Sequence, residues 1–197
     1  MRVERVPGGP TIQRTDADRA IPVNAVSALL DKKAGNSVLV THSNSGQYGW
    51  LERLKNDKVV GIVSYEPITF VFPSDAPPDP IPGCCVDPVN AAFMAPIIVP
   101  PEEFQKLTEI PIQIVFGDNL DKSAGPVNAE EWKVVPQRAR QFADAVNSRG
   151  GKVELLFLPK IGVFGNTHFA FSDLNNEKIA DLMVDFPAAA KIGRAHV

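Results

Sequence analysis

Residues 38–50 read VLVTHSNSGQYGW, and this stretch decides the fold. Residues 37–40 (SVLV), of which three are apolar, are typical of a buried strand, and a helical pattern occupies residues 46–56. A short turn rich in serine and asparagine lies between them. A strand that runs through a sharp turn into a helix is the context of a nucleophile elbow, in which the turn lifts a serine above a parallel sheet. The stretch therefore predicts an α/β fold with a candidate nucleophile at the turn.

Outward from this turn, short apolar strands alternate with helical patterns. Further strands are predicted at residues 59–65, 112–116 and 153–158, and further helices at residues 24–33, 130–148 and 174–186. The strands lack the polar and apolar alternation of a half-exposed sheet, so helices should cover both faces. The predicted fold class is α/β, with a doubly wound, mostly parallel sheet.

The composition excludes several classes of function. Of the 197 residues, 44% are hydrophobic and 22% charged, as expected for one globular domain with a sizeable core. The 20 basic and 23 acidic side chains give a net charge of −3, which argues against nucleic-acid binding. Apolar runs are too short for a membrane span, and residues 1–22 lack the apolar run of a signal peptide. We expect a small-molecule substrate, with no nucleic-acid or membrane partner.

Proline marks a long insertion in this pattern. Ten of the 18 prolines lie between residues 67 and 101, which excludes a regular helix or a central strand there. A long irregular insertion in a compact domain is usually a lid or a binding loop, and we interpret residues 67–108 as lid-like. Its phenylalanines indicate either an apolar substrate group or additional core; they are Phe70, Phe72 and Phe93.

The two cysteines, Cys84 and Cys85, are adjacent, and this spacing does not suit a metal site. The simplest interpretation is two small loop residues. A disulfide between neighbours is the alternative; it is strained and would imply an oxidising compartment. The sequence also contains no phosphate-binding loop and no dinucleotide fingerprint. We therefore expect no cofactor and no metal.

The turn offers two serines as the nucleophile. Ser43 follows the apolar strand after two residues, where the turn lifts a side chain above the sheet, whereas Ser45 would require a small residue at the position of Gln47. Ser43 is therefore preferred. The motif is relaxed, because Thr41 and Ser45 replace the usual glycines, and an inert helix cap has a similar composition.

A serine nucleophile needs a base, and the chain has three histidines. His42 adjoins Ser43 and is expected to point away from it, and His196 lies in the C-terminal tail. His168 remains by elimination, in a loop between the last strand and the last helix.

The third member of a triad is a carboxylate that ends a strand between the serine and the histidine in chain order. Glu66 ends the strand after the elbow, and Asp118 ends the next strand. Asp121 is a weaker candidate. The residues alone leave Glu66 and Asp118 both open.

Four segments together resemble a known family: VTHSNSGQYGW, IVSYEP, IPIQIVFGD and GVFGNTHFAFSDLNNEKIADLMVDF. They are similar to the secreted bacterial esterase branch of the α/β-hydrolase superfamily, over roughly residues 21–186. The resemblance implies Ser43 as nucleophile, Glu66 as acid because of its Ser-Tyr-Glu-Pro context, and His168 as base. The residues alone left both Glu66 and Asp118 open as the acid. The resemblance favours Glu66, with Asp118 as the alternative.

The resemblance also implies what surrounds the triad. The backbone N–H of Asn44 is the expected first oxyanion donor, and the second should come from a loop after an early strand. No such segment precedes residue 21. We therefore expect residues 1–190 to form a partial, N-terminally truncated α/β-hydrolase domain with low activity on its own. The implied location is secreted or periplasmic.

The C-terminal segment KIGRAHV, residues 191–197, does not continue the preceding helical pattern. A common sequencing adapter can encode it, so we interpret it as an artefactual tail; a natural polar terminus is the alternative.

The predicted function is hydrolysis of a small-molecule carboxylic ester through an acyl-enzyme. Lactone or amide hydrolysis by the same triad is one alternative, and a non-catalytic hydrolase-like binding module is another. Three triad residue types in chain order at strand ends argue against the binding module.

Overall fold

A computed structural model describes residues 15–82, 94–118, 120 and 129–189 of the chain. Several residues considered above lie outside this part, and the predictions about them stay predictions; they are Cys84, Cys85, Phe93, Asp121, His196 and the tail 191–197.

Four parallel strands form the main sheet. The strands of the described chain are β1 (Ser37–His42), β2 (Val59–Tyr65), β3 (Val71–Pro73), β4 (Ile97–Val99), β5 (Pro111–Phe116) and β6 (Lys152–Phe157). The main sheet has the order β1-β2-β5-β6, and β3 pairs with β4 in a small separate parallel sheet. The predicted α/β architecture with a mostly parallel sheet is confirmed.

Five helices in the described residues precede, connect and follow the strands. They are α1 (Asp16–Leu29), α2 (Gly46–Lys55), α3 (Pro101–Phe104), α4 (Ala129–Asn147) and α5 (Asn176–Ala189). Short helical turns are added at Leu30–Ala34, Ser43–Ser45, Gln105–Glu109, Leu158–Ile161 and Ala170–Ser172. Within the described ranges, no helix combines the length and the apolar character needed to cross a membrane.

The sheet separates two hydrophobic cores, because successive residues of a strand point to opposite faces. Ile62 and Ile114 belong to the larger core, whereas their chain neighbours Val63 and Val115 belong to the smaller one, which also contains residues of α5. All four strands end at the same edge of the sheet, since they are parallel. The side chains that follow β1, β2 and β5 are therefore brought to one place, which is where ligands bind in open α/β sheets.

The first helix begins at Asp16, well before the predicted start at Asn24. Thr15 caps it: its hydroxyl accepts the Asp18 N–H, and the Asp18 carboxylate accepts the Thr15 N–H. Pro22 lies inside this helix and obscured the helical pattern in the sequence. The prediction of the helix start was wrong for that reason.

The described part of the proline-rich insertion packs into the core. Phe70 and Phe72 are 0% and 1% exposed, and the Phe70 ring lies 6.1 Å from that of Trp50 and 5.3 Å from that of Phe142, between ring centroids. Of the two interpretations of these phenylalanines, the core interpretation therefore applies. Burying these rings against α2 and α4 stabilises the domain. The lid-like interpretation of residues 67–108 as a whole stays a prediction.

Candidate active site

The turn after β1 has the strained backbone expected of an elbow. Ser43 has a φ of 54°, in the left-handed region that non-glycine residues rarely adopt. The Ser45 hydroxyl closes the turn: it accepts the His42 N–H at 2.9 Å and donates to the His42 carbonyl at 2.7 Å. Ser45 is thus a structural brace, and Ser43 occupies the position between strand and helix where a nucleophile belongs.

The elbow is packed directly against the turn that follows β2. A Cβ at Gly46 would lie 2.5 Å from the Pro67 Cβ, so only glycine allows α2 to begin this close to Pro67. Thr41 of β1 and Ser64 of β2 are paired just before the strands end, and the Thr41 hydroxyl donates to the Ser64 hydroxyl at 2.8 Å. The strand ends of β1 and β2 are therefore fixed relative to each other.

Glu66 follows β2 and is held in a second strained turn. Its φ is 44°, and its N–H donates to the Val115 carbonyl at 2.8 Å. The side chain is 3% exposed. Oε1 accepts the Gly117 N–H at 2.8 Å, and Oε2 accepts from Nδ1 of His168 at 2.6 Å. The carboxylate therefore has partners on both oxygens and holds the imidazole with the proton on Nδ1, which leaves Nε2 as the basic nitrogen.

Gly117 provides the space in which these groups meet. A Cβ there would lie 2.9 Å from Glu66 Oε1 and from the Thr167 carbonyl, and 3.0 Å from the Asn166 carbonyl. All three distances are shorter than or at the limit of normal contacts. The residue after β5 must therefore be glycine for the acid and the His168 loop to approach each other.

The loop that contains His168 is held by hydrogen bonds within itself. The amide side chains of Asn166 and Asn175 bond each other reciprocally, at 2.7 and 2.9 Å. The Asp173 carboxylate accepts from the N–H and the hydroxyl of Thr167. Asn166 is completely buried. The base is therefore presented by a structured loop.

Asp118, the alternative acid, contributes to this loop. Its N–H donates to the Asn166 carbonyl at 2.9 Å, and its carboxylate accepts the Gly165 N–H at 3.3 Å. The structure thus brings Glu66 to the Nδ1 of His168 and Asp118 to the backbone of the loop before it.

His42 is a part of the site that sequence reasoning missed. Its ring lies 4.5 Å from that of His168, between centroids, and its Nε2–H donates to the His168 carbonyl at 2.8 Å. Burial lowers the pKa of His42, as does the nearby His168, while the carbonyl bond and Glu66 oppose this. The sequence predicted only that His42 points away from Ser43; it did not predict that the ring packs on the loop of the base.

Asn44, the expected oxyanion donor, lies in the turn Ser43–Ser45 that precedes α2. Its carbonyl and its side-chain oxygen accept from the Gln47 amide at 3.0 and 2.7 Å. Gln47 is fully buried and accepts in turn from Arg19 of α1 at 3.0 Å. The first helix thus supports the elbow through Gln47, a link that the sequence did not reveal.

The surface around the elbow is apolar. Phe164 and Phe169, on the loop of His168, are 65% and 52% exposed. An open groove of about 530 Å³ begins at Ser45 and runs between β1 and α5.

In the described part of the chain, no three His, Cys, Asp or Glu side chains are grouped so that they could hold a metal ion.

No family model and no curated protein matches the chain. Among solved structures, the chain is similar to one described as the atomic resolution structure of a novel bacterial esterase, with 31% identity and a TM-score of 0.61. The match covers 85% of this chain and 42% of that chain, so this chain spans less than half of the esterase's length. The likeness agrees with the parallel sheet and its flanking helices and confirms the predicted fold class.

Proposed function

We propose that this chain contains the triad of a serine hydrolase that acts on carboxylic esters, with Ser43 as nucleophile, His168 as base and Glu66 as acid. The observation that supports this most directly is the 2.6 Å contact between Glu66 Oε2 and His168 Nδ1, next to a strained serine turn. The likeness to a bacterial esterase supports the same reaction class. Membership of the secreted branch stays a prediction that rests on the sequence motifs.

In the acylation step, Ser43 Oγ attacks the ester carbonyl carbon while Nε2 of His168 takes the hydroxyl proton. The new C–O bond leaves a negative charge on the carbonyl oxygen. When this intermediate collapses, the bond to the alcohol oxygen breaks, and His168 returns its proton to the departing alkoxide. An acyl-Ser43 intermediate and a free alcohol result.

Water then repeats the sequence on the acyl-enzyme. His168 takes a proton from the water as its oxygen attacks the acyl carbon. When this intermediate collapses, the bond to Ser43 Oγ breaks and Nε2 of His168 returns its proton to Oγ, which releases the carboxylic acid and regenerates the serine. Glu66 stabilises the imidazolium in both steps, which suits a carboxylate fixed by the Gly117 N–H. The Asn44 N–H is the proposed first donor to the oxyanion.

Labelling with a fluorophosphonate probe tests this function. The protein is expressed from its native gene, and the labelled peptide is identified by mass spectrometry. We expect the label on Ser43, its loss in Ser43→Ala, and hydrolysis of short p-nitrophenyl esters that the same substitution abolishes. Absence of label on a folded protein would favour a binding module. Label on Ser43 without ester turnover would favour lactone or amide hydrolysis by the same triad.

A further inference from the structure

We propose that His42 is a positioning residue for the base, because it joins the backbone that precedes the nucleophile to the backbone of His168. This inference rests on the proposed role of His168.

The two contacts of His42 with His168 have different consequences. The bond from Nε2–H to the His168 carbonyl, at 2.8 Å, fixes where the main chain of the base lies. The ring contact, with centroids 4.5 Å apart and planes at 48°, limits how far the base can tilt. Since His42 is covalently next to Ser43, both contacts fix the position of His168 relative to the nucleophile.

Glu66 alone does not achieve this. Its bond to Nδ1 fixes one nitrogen of the imidazole, but the ring can still pivot about that contact if the loop moves. A pivot displaces Nε2, the atom that must reach Ser43 Oγ. A second anchor, at the carbonyl of His168, prevents this pivot. General-base catalysis needs Nε2 to stay within hydrogen-bond distance of the hydroxyl whose proton it takes.

His42 is itself held in place. Its backbone is bonded on both sides by the Ser45 hydroxyl. Phe169 and Phe171 pack against its ring, with centroids 4.8 and 5.0 Å away. A side chain fixed in this way can hold the loop of His168 in place relative to the elbow.

A neutral donor is required at this position. His168 becomes positively charged during each step of the reaction, and a second charge 4.5 Å away would oppose that change. Burial favours the neutral form of His42. Neutral His42 donates from Nε2, and a glutamine amide reaches a similar point without a charge. A phenylalanine preserves the ring but has no donor.

Two substitutions separate these contributions: His42→Phe removes the hydrogen bond and retains the ring, and His42→Gln retains a donor. Both are made in the protein expressed from its native gene, and kcat and KM are measured on a p-nitrophenyl ester. We expect His42→Phe to lower kcat by about 10–100-fold, the effect of a small displacement of a reacting group. KM should change little if His42 acts only through the base, to which its hydrogen bond and its closest ring contact are made. His42→Gln should restore most of kcat. Equal kcat in His42→Phe and the unsubstituted protein would overturn the inference.

Proton NMR provides a readout that does not require turnover. We expect the Nδ1 proton of His168, bonded to Glu66 at 2.6 Å, to give a strongly deshielded resonance, which is assigned by its loss in His168→Gln. We expect this resonance to broaden or disappear in His42→Phe at a pH where it persists in the unsubstituted protein and in His42→Gln. An unchanged resonance in His42→Phe would contradict positioning by His42. If fluorophosphonate fails to label Ser43, the proposed function fails, and the resonance still decides whether His42 positions His168.

Discussion

Glu66 Oε2 lies 2.6 Å from His168 Nδ1, and the other oxygen of the same carboxylate accepts the Gly117 N–H. This acid follows β2, the strand that pairs directly with the elbow strand β1. The carboxylate therefore approaches the imidazole from the strand next to the nucleophile and not from β5. A positive φ at Glu66 turns the chain sharply there, and burial keeps the carboxylate from solvent.

The first prediction compares the two carboxylates. Glu66→Gln preserves shape but removes the charge that stabilises the imidazolium, so kcat should fall by orders of magnitude, as much as about 10⁴-fold by analogy with loss of the triad acid elsewhere. Asp118→Asn should have a milder effect, because the Asp118 carboxylate bonds the Gly165 N–H at the start of the loop. Steady-state kinetics on the same ester decide the order. A larger loss in Asp118→Asn would contradict the assignment of Glu66.

Local patterns made much of the fold predictable. The apolar strands, the Ser43 turn and the strand-end position of Glu66 are all visible in short stretches of sequence, since each depends on neighbours in the chain. The catalytic roles of these residues stay predictions. The contact of His42 with His168 was not predictable, because it joins residues 126 positions apart. The burial of Phe70 was left open for the same reason: its partners, Trp50 and Phe142, are brought to it only by the packing of two helices.

The second prediction concerns Gly117→Ala. The added Cβ would lie 2.9 Å from Glu66 Oε1 and from a backbone carbonyl, so the acid and the loop of the base must move apart. We expect a loss of stability of about 1–3 kcal/mol, typical of overpacking. A urea denaturation curve gives the fraction of folded protein under the assay conditions. We expect kcat to fall by more than the loss of folded protein explains.

Gly162→Ala is the matched control for this substitution. Gly162 has a φ of 77°, but a Cβ there would meet nothing within 4 Å. The left-handed backbone alone should cost roughly 1–2 kcal/mol, with kcat unchanged. If Gly117→Ala also left kcat unchanged, the close approach at Gly117 would not matter for the site.

The third prediction distinguishes the two serines of the elbow. Ser45→Ala should retain fluorophosphonate labelling at Ser43, because Ser45 bonds only the His42 backbone in the described contacts. Stability should fall by about 1–2 kcal/mol, since two hydrogen bonds are lost together. Chemical denaturation and intact-protein mass spectrometry measure the two effects. A label found on Ser45 in the unsubstituted protein, and lost in folded Ser45→Ala, would instead make Ser45 the nucleophile.

Glu52 is a buried acid away from the site. It lies in α2 and is 1% exposed. Burial raises the pKa of its carboxyl, and the opposing effects of Lys55 and Ser27 are smaller. Ionised Glu52 is therefore less stable in the folded protein than in the unfolded chain.

The last prediction follows from this difference in pKa. Below the unfolded value of about 4.3, Glu52 is neutral in both states and imposes no penalty. As pH rises through the higher folded pKa, the unfolded chain ionises more readily, so stability is lost. Glu52→Gln cannot ionise and should become more stable relative to the unsubstituted protein as pH rises. Urea midpoints across this range measure the difference, with the same substitution at exposed Glu102 as the control. A difference that does not vary with pH would mean that Glu52 ionises equally in both states.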